Sequence, residues 1–478
     1  MSHVDSILET WARDFKLAAR SLTRTPMFTL VIVVTLTLAI GANTAIFSVV
    51  KPVLLEPLPY PNADRLVNIA GYAPGTEQPE LGVPDEVYFE WRASVRAIED
   101  GGLYATGMTT TRVEGRVEQQ FGTRATASFF TTLGARVLHG RLPTEEDGTD
   151  VVVLSHWMWE SWFGSNPDVV GRSYTFARGA RTVIGVMVPE FRFPDERVAY
   201  WSPWPLRASQ VAPGGFGANM IARIAPGTDR ETLVAQLAPV PRRVQARLGG
   251  SPSYAGIMQR YGPVVTPLRE HLVGKISTPL WILLGTVGIV FLVACANLAN
   301  LFMVRAESRR RDFAVRRAHG AGRADLVRLQ MAEALALAGT GGAGGILLAW
   351  ACVPLLIRAA PDAVAGGIQS TPIPGLASAG LDITALLFTG AMCVLAACAF
   401  GLLPAIRFSS GQLGSLRQAG SVGRIAFTRE ALVVLQTASA VALLVGSGLL
   451  VRSFWKLSRV DPGYDTSGIL TFQIAPDR

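Results

Sequence analysis

The sequence predicts an α-helical membrane protein of about five spans, with a large mixed α+β domain inserted between the first span and the second. Three observations lead there. Hydrophobic residues make up 49% of the 478 residues and charged ones only 17%, with a mean hydropathy of +0.32, too apolar for a soluble multidomain chain. Five uncharged windows, 25–50, 281–304, 334–357, 383–406 and 431–451, are each long enough to cross a hydrocarbon core about 30 Å thick. Buried core helices of a soluble protein would carry a charged stripe, and these windows carry none. Finally, about 230 residues separate the first two windows, enough for a folded domain.

Taken in order, residues 1–24 form an amphipathic segment carrying Arg13, Lys16, Arg20 and Arg24. The window at 25–50 follows. A cleaved signal peptide has an apolar stretch of only ~7–15 residues, so this window reads as an uncleaved span.

Residues 51–277 read as the inserted domain. TDVVVLSHWMWESWFG (149–164) is a short buried strand, a helix start at Ser155 and a helix closed by Gly164. RSYTFARGARTVIGVMVPEF (172–191) reads as two strands joined through Gly179, and PGTDRETLVAQL (226–237) as a helix with Asp229 at its N-cap. The four cysteines, Cys295, Cys352, Cys393 and Cys398, all fall in later spans. The domain therefore has neither a disulfide framework nor a cysteine zinc site.

Residues 278–406 hold three spans, with a loop at 305–333 between the first two of them. Arg305, Arg309, Arg310, Arg311, Arg316, Arg317, Arg323 and Arg328 crowd this loop. A linker at 407–430 adds Arg407, Arg417, Arg424 and Arg429, whereas the loop after the third window carries only Arg358 against Asp362 and Asp382. By the positive-inside rule the N-terminus, the arginine loop and the linker are cytoplasmic, and the inserted domain is outside. Arg452, Lys456 and Arg459, after 431–451, fall on the side this topology makes external. The net charge of +8 thus has a topological origin, and nucleic acid is not an expected partner.

Within the loop, FAVRRAHGAGRADLVRL is a helical segment broken at Gly320 and Gly322 before a second helix begins near Asp325. Arginines beside a membrane can anchor anionic lipid, at about 1 kcal/mol each. Those from 309 to 317 circle the helix instead of lining one face, which favours docking of a cytoplasmic protein. Asn297 and Asn300, one turn apart in a span, are candidates for hydrogen bonding between helices. In GTGGAGG (339–345), Gly341 and Gly345 mark a close approach of helices.

No catalytic, metal or cofactor site is expected. GKIS (274–277) lacks the residues of a phosphate-binding loop. His3, His139, His156, His271 and His319 are scattered, and no Gly-x-Ser-x-Gly elbow occurs. PLPYPNADRLVNI (57–69) and VDPGYDTSGILTF (460–472) follow their spans in similar fashion. Residues 452–478 therefore read as the start of a second external domain, and the chain as one unit plus the opening of another.

These pieces resemble the MacB-like and FtsX-like permeases of ABC transport systems, in particular the duplicated, ADOP-type permeases, apparently cut short after the first unit. The resemblance rests on RDFKLAARSLTRTPMFTLVIVVTLTLAIGANTAIFSVVKPVLLEPLPYP (13–61), LSHWMWESWFGSNPDVVGRSYTFARGARTVIGVMVPEFRFP (154–194), VACANLANLFMVRAESRRRDFAVRRAHGAGRADLVRLQMAEAL (293–335) and VVLQTASAVALLVGSGLLVRSFWKLSRVDPGYD (433–465). It implies a periplasmic core domain, an FtsX-like permease domain, and a coupling loop that docks on a separate ATPase subunit. The docking residues it implies are Asp312, Phe313, Ala314, Val315, Arg316, Arg317, Ala318, Gly320 and Ala321. His319 departs from the pattern, standing where the family usually has an apolar residue.

The implied function is that of a non-catalytic permease exporting amphiphiles, antimicrobial peptides, macrolide-like drugs or lipoproteins by mechanotransmission. The alternatives are an FtsX-like scaffold that regulates an extracytoplasmic hydrolase, or an inactive truncated permease. The resemblance also implies a cell inner-membrane location among membrane lipid, a dimer or pseudo-dimer of permease units, and a periplasmic adaptor as partner.

Overall fold

The computed structural model describes residues 3–76, 80–113, 115–176, 179–309, 315, 318–319, 322–359, 375, 379–402 and 421–458. The chain forms two compact units, one built on Glu56–Ile276 and the other on the segments before and after it.

In the helical unit, α1 (His3–Thr23) buries Asp14, Ala18 and Leu22 at four-residue spacing and leaves Arg13, Lys16 and Arg20 exposed. Pro26 then opens α2 (Pro26–Val50), at a position where its missing N–H has no intrahelical acceptor to lose. Ile32, Leu36 and Ile40 on α2 are buried, while Leu30, Val34 and Leu38 are exposed. A helix that is apolar on its packed and its open face alike is suited to lipid, not water.

The α/β unit follows. Its elements are β1 (Leu66–Tyr72), α3 (Asp85–Ser94), β2 (Ile98–Val113), β3 (Arg116–Ala125), α4 (Ala127–Leu133), β4 (Val137–Gly140), β5 (Val151–Leu154) and α5 (His156–Phe163). Then come β6 (Ser173–Phe176), β7 (Gly179–Met187), β8 (Val198–Pro203), β9 (Asn219–Ile224), α6 (Arg230–Leu237), α7 (Val240–Leu248), α8 (Pro252–Met258) and β10 (Gly262–Pro267). Among the described residues ten strands make one sheet, ordered β10-β1-β9-β2-β3-β8-β5-β7-β4, with β6 pairing to β2 and β7. The β3–β8 and β5–β7 pairs are parallel; the others are antiparallel.

Local chemistry starts and stops these elements as the sequence suggests. Ser155 Oγ accepts from the Met158 amide at 3.1 Å, and Gly164 ends α5 at φ 58°, a left-handed conformation that glycine adopts without strain. Asp229 Oδ1 accepts from the Thr232 amide at 2.8 Å to begin α6, and β6 and β7 form an antiparallel hairpin.

Large side chains fill the interior. Trp91 is fully buried and donates its indole N–H to Leu237 O at 3.1 Å, tying α3 to α6. Trp201, also fully buried, donates to Phe193 O at 3.1 Å beside Phe129 and Phe130. Arg223, only 7% exposed, donates to Pro61 O at 2.7 Å, Asn62 O at 3.3 Å and Thr132 O at 2.5 Å. Its burial is made tolerable by these carbonyls, and it pins the segment entering β1.

The remaining helices are α9 (Leu268–Ser308), which enters the helical unit at Ser277, and α10 (Arg323–Ala359), α11 (Ile383–Ala397) and α12 (Ser421–Ser458). Among the described residues four helices are long and apolar enough to cross a membrane: Pro26–Leu55, Ile276–Ser308, Ala324–Ile357 and Ile383–Leu402. The fifth expected span, 431–451, lies within α12, where Val434, Val441, Leu444 and Leu449 are exposed. Ile32, Leu36, Ile40, Leu298, Phe302 and Phe400 form the core between α2, α9, α10 and the turn that ends α11. Lys51, just past α2, forms an ion pair with Asp382, which caps α11 by accepting from the Ala385 amide at 2.8 Å.

Gly341 and Gly345 of α10 face α2. A Cβ at Gly341 would stand 2.5 Å from Leu36 Cβ, and one at Gly345 would stand 3.0 Å from the backbone N of Gly41. The expected asparagines are arranged differently: Asn297 is exposed and Asn300 half-buried. Among the described residues, Asn43 Nδ2 donates to Ala39 O and, on α9, to Val287 O, both at 2.9 Å, and the Thr44 and Thr389 hydroxyls pair at 2.9 Å.

Candidate coupling site

The arginine-rich loop leaves α9 at Arg309 and rejoins the helical unit at α10, and α1 holds both stems. On the α10 side, Arg328 Nε donates to Asp14 Oδ2 at 2.5 Å and its Nη2 to Asp325 Oδ1 at 3.0 Å. Asp325 Oδ2 in turn accepts from the Gly322 amide at 3.0 Å, securing the start of the helix.

On the α9 side, Ser21 Oγ accepts from Arg309 Nη2 at 2.5 Å and from Arg305 Nη2 at 3.2 Å. Arg309 Nη1 also donates to Glu333 on α10, at 2.9 Å to Oε1 and 3.3 Å to Oε2. The helical repeat explains these meetings. Asp14 and Ser21 are two turns apart on α1, and Arg309, just past the end of α9, lies one turn beyond Arg305.

Burial strengthens the cluster electrostatically. Asp14 is 5% exposed and Glu333 7%, so each carboxylate depends on its arginine. The guanidinium of Arg305 lies 4.2 Å over the Phe28 ring. Its Nε and Nη1 are buried without a hydrogen-bond partner among the described residues. Arg305, Arg309, Gln330 and Glu333 line a small cavity together with Phe302 and Leu329.

Paired charges and hydrogen bonds thus tie the residues flanking the loop to α9, α10 and α1. Among the described residues no group of three His, Cys, Asp or Glu side chains could hold a metal ion.

Of the residues expected to dock, Val315 and Ala318 are exposed, and Asp312, Phe313, Ala314, Arg316, Arg317, Gly320 and Ala321 lie outside the described residues. His319 is exposed, with Nδ1 2.8 Å from Val315 O. Residues 460–472 are likewise outside the described residues. Sequence reasoning missed Asp14, Ser21 and Glu333. The available signal was a lone aspartate on the otherwise apolar stripe of an amphipathic helix, and a lone glutamate at the edge of a span.

Residues 29–240 match the family described as MacB-like periplasmic core domain, and residues 284–413 match FtsX-like permease C-terminal. The chain belongs with the MacB-like/FtsX-like ABC permeases. Macrolide export ATP-binding/permease protein MacB of Rhodospirillum rubrum is 25% identical over 205 residues, which cover 41% of this permease and 29% of that protein. This permease thus matches under a third of the length of that relative.

Two solved structures are similar to it over less than half its length. A domain of a putative permease protein from Porphyromonas gingivalis has 18% identity and a TM-score of 0.33, covering 44% of this chain and 91% of that one. The periplasmic region of MacB from Actinobacillus actinomycetemcomitans has 15% identity and a TM-score of 0.33, covering 45% and 93%. Its apolar helices and its two family matches make the permease a membrane protein with a MacB-like periplasmic core domain.

Proposed function

We propose that this permease is the membrane subunit of an ABC transport system and that it moves when a separate ATPase subunit hydrolyses ATP. The observation that carries the reading is the brace around the loop at 305–333. Both stems are tied to α1 by the Asp14–Arg328 pair and by Ser21, so a push on the loop is delivered to whole helices. Residues 312–318, 320 and 321 make the docking surface. The printed name of the R. rubrum relative, an ATP-binding/permease protein for macrolide export, supports ATP-driven export as the activity. GKIS at 274–277 is not a phosphate-binding loop, so the nucleotide is assigned to the partner.

In this reading the N-terminus and the arginine loop are cytoplasmic, the α/β unit faces the periplasm, and the membrane is the inner one. The loop drives the extracytoplasmic domain by mechanotransmission, with no channel through the bilayer. The exported class is amphiphilic: antimicrobial peptides, macrolide-like compounds or lipoproteins. A second permease unit and a periplasmic adaptor complete the assembly.

The test is affinity purification of the tagged chain from native membranes in mild detergent, beside the Arg316→Glu/Arg317→Glu double variant. An ATPase captured by the parent chain and lost with the variant is the expected result. Equal capture by both removes the loop from the docking role, and capture by neither rejects the ATPase partner.

A further inference from the structure

We infer that Glu333 is a shared carboxylate with two alternative cations, Arg309 in the present arrangement and Arg305 in a second state of the coupling loop. The inference rests on the proposed reading of 305–333 as the moving element. Glu333 is 7% exposed, and a carboxylate that buried needs a cation beside it. Arg309 supplies one now, at 2.9 Å, from the point where α9 gives way to the loop. It is therefore the first cation that any displacement of the loop carries off.

Arg305 stands one turn back on the same helix face and is held by different groups. Its guanidinium lies over Phe28, and its Nη2 is taken by Ser21. Its Nε and Nη1 are buried and have no acceptor among the described residues. A charged donor left unmet away from water is strongly unfavourable. Two oxygen-bearing side chains line the same cavity, Gln330 and Glu333, and only Glu333 brings a compensating charge.

Two arrangements follow. In the first, Glu333 pairs with Arg309 while Arg305 Nε and Nη1 have no acceptor among the described residues. In the second, Glu333 pairs with Arg305, and Arg309 moves with the loop into water. Each satisfies what the other leaves open, and a small free-energy gap between them is what a two-state coupling element requires. Ser21 Oγ accepts from both arginines, so α1 registers which pairing is in force.

A stability cycle on the full chain in detergent tests this, following helix signal at 222 nm through thermal unfolding. Arg309→Gln and Arg305→Gln each lower the midpoint by no more than about 2 °C, because the remaining arginine serves Glu333. The double variant falls roughly 5 °C or more below the sum of the two, since Glu333 is then buried without a cation. Adding Glu333→Gln to the double variant restores most of the loss.

A double variant that yields no folded chain, while the triple variant folds, is the same result in stronger form. Additive losses, a full loss from Arg309→Gln alone, or a triple variant that recovers nothing would each overturn the exchange. No arm uses the ATPase. A chain that captures no ATPase can still show the exchange, and one that captures it can lack the exchange.

Discussion

At Trp91, in the α/β unit, an indole brings α3 and α6 together by filling the space between them. At Gly345, in the helical unit, two helices meet because the side chain has been left out. The contrast holds more widely. Trp201, Phe129 and Phe130 crowd one core, whereas Gly341 sets its backbone against Leu36 and Gly345 sets its own against Gly41. In water, burying large apolar surface is itself the driving force. Between helices in lipid that force is missing, and close backbone contact with a few polar bonds takes its place.

Opposite kinds of substitution should therefore damage the two units. Trp91→Ala removes a fully buried indole and is expected to destabilise the α/β unit by about 3–5 kcal/mol. Hydrogen exchange on the intact chain should show α3, α6 and β9 losing protection while α2 and α10 keep theirs; equal loss in α2 and α10 would erase the distinction. Arg223→Met leaves the carbonyls of Pro61, Asn62 and Thr132 without their donor, at about 2–3 kcal/mol. The same measurement should place its effect at the entry to β1 and at the end of α4.

Gly341→Val reverses the pattern, overpacking the contact with Leu36 at about 1–3 kcal/mol. Amides of α2 and α10 should exchange faster and those of the α/β unit should not. The smallest effect concerns acid. Arg141 and the Thr144 amide and hydroxyl bond to Asp147 and hold its carboxyl well below the usual carboxylate range. A lowered folded-state value means that this stabilisation is complete above the unfolded value of about 3.9 and fades as pH falls below it. The Thr144 amide should stay protected at pH 5 and lose protection progressively under pH 4. Asp147→Asn should remove that pH dependence.

Legibility in the sequence also differed between the units, for a physical reason. Ser155, Gly164 and Asp229 act on residues within one turn, so their roles were readable from a dozen letters. The sheet order was not, because β1 lies between β9 and β10, which arrive about 150 and about 200 residues later. In the helical unit, length and apolarity marked the spans, and a run of glycines pointed to α10. Which face of a span meets a neighbour is not encoded by hydropathy alone. Asn297 and Asn300 were singled out from the sequence and Asn43 was passed over, although it is Asn43 that is buried and bonds across to another helix. The brace was harder still. Asp14 and Arg328 are 314 residues apart, and nothing local to either names the other.

The contact of Gly41 with Gly345 has a further consequence in terms of stiffness. Helices separated by side chains can slide as those side chains change rotamer, and each then bends almost alone. Where two backbones touch along a seam, sliding is blocked and the pair resists bending as one thicker beam. Through this seam α2 and α10 form a spar, and a tilt imposed at one end of α10 reaches its other end with little lost to flexure.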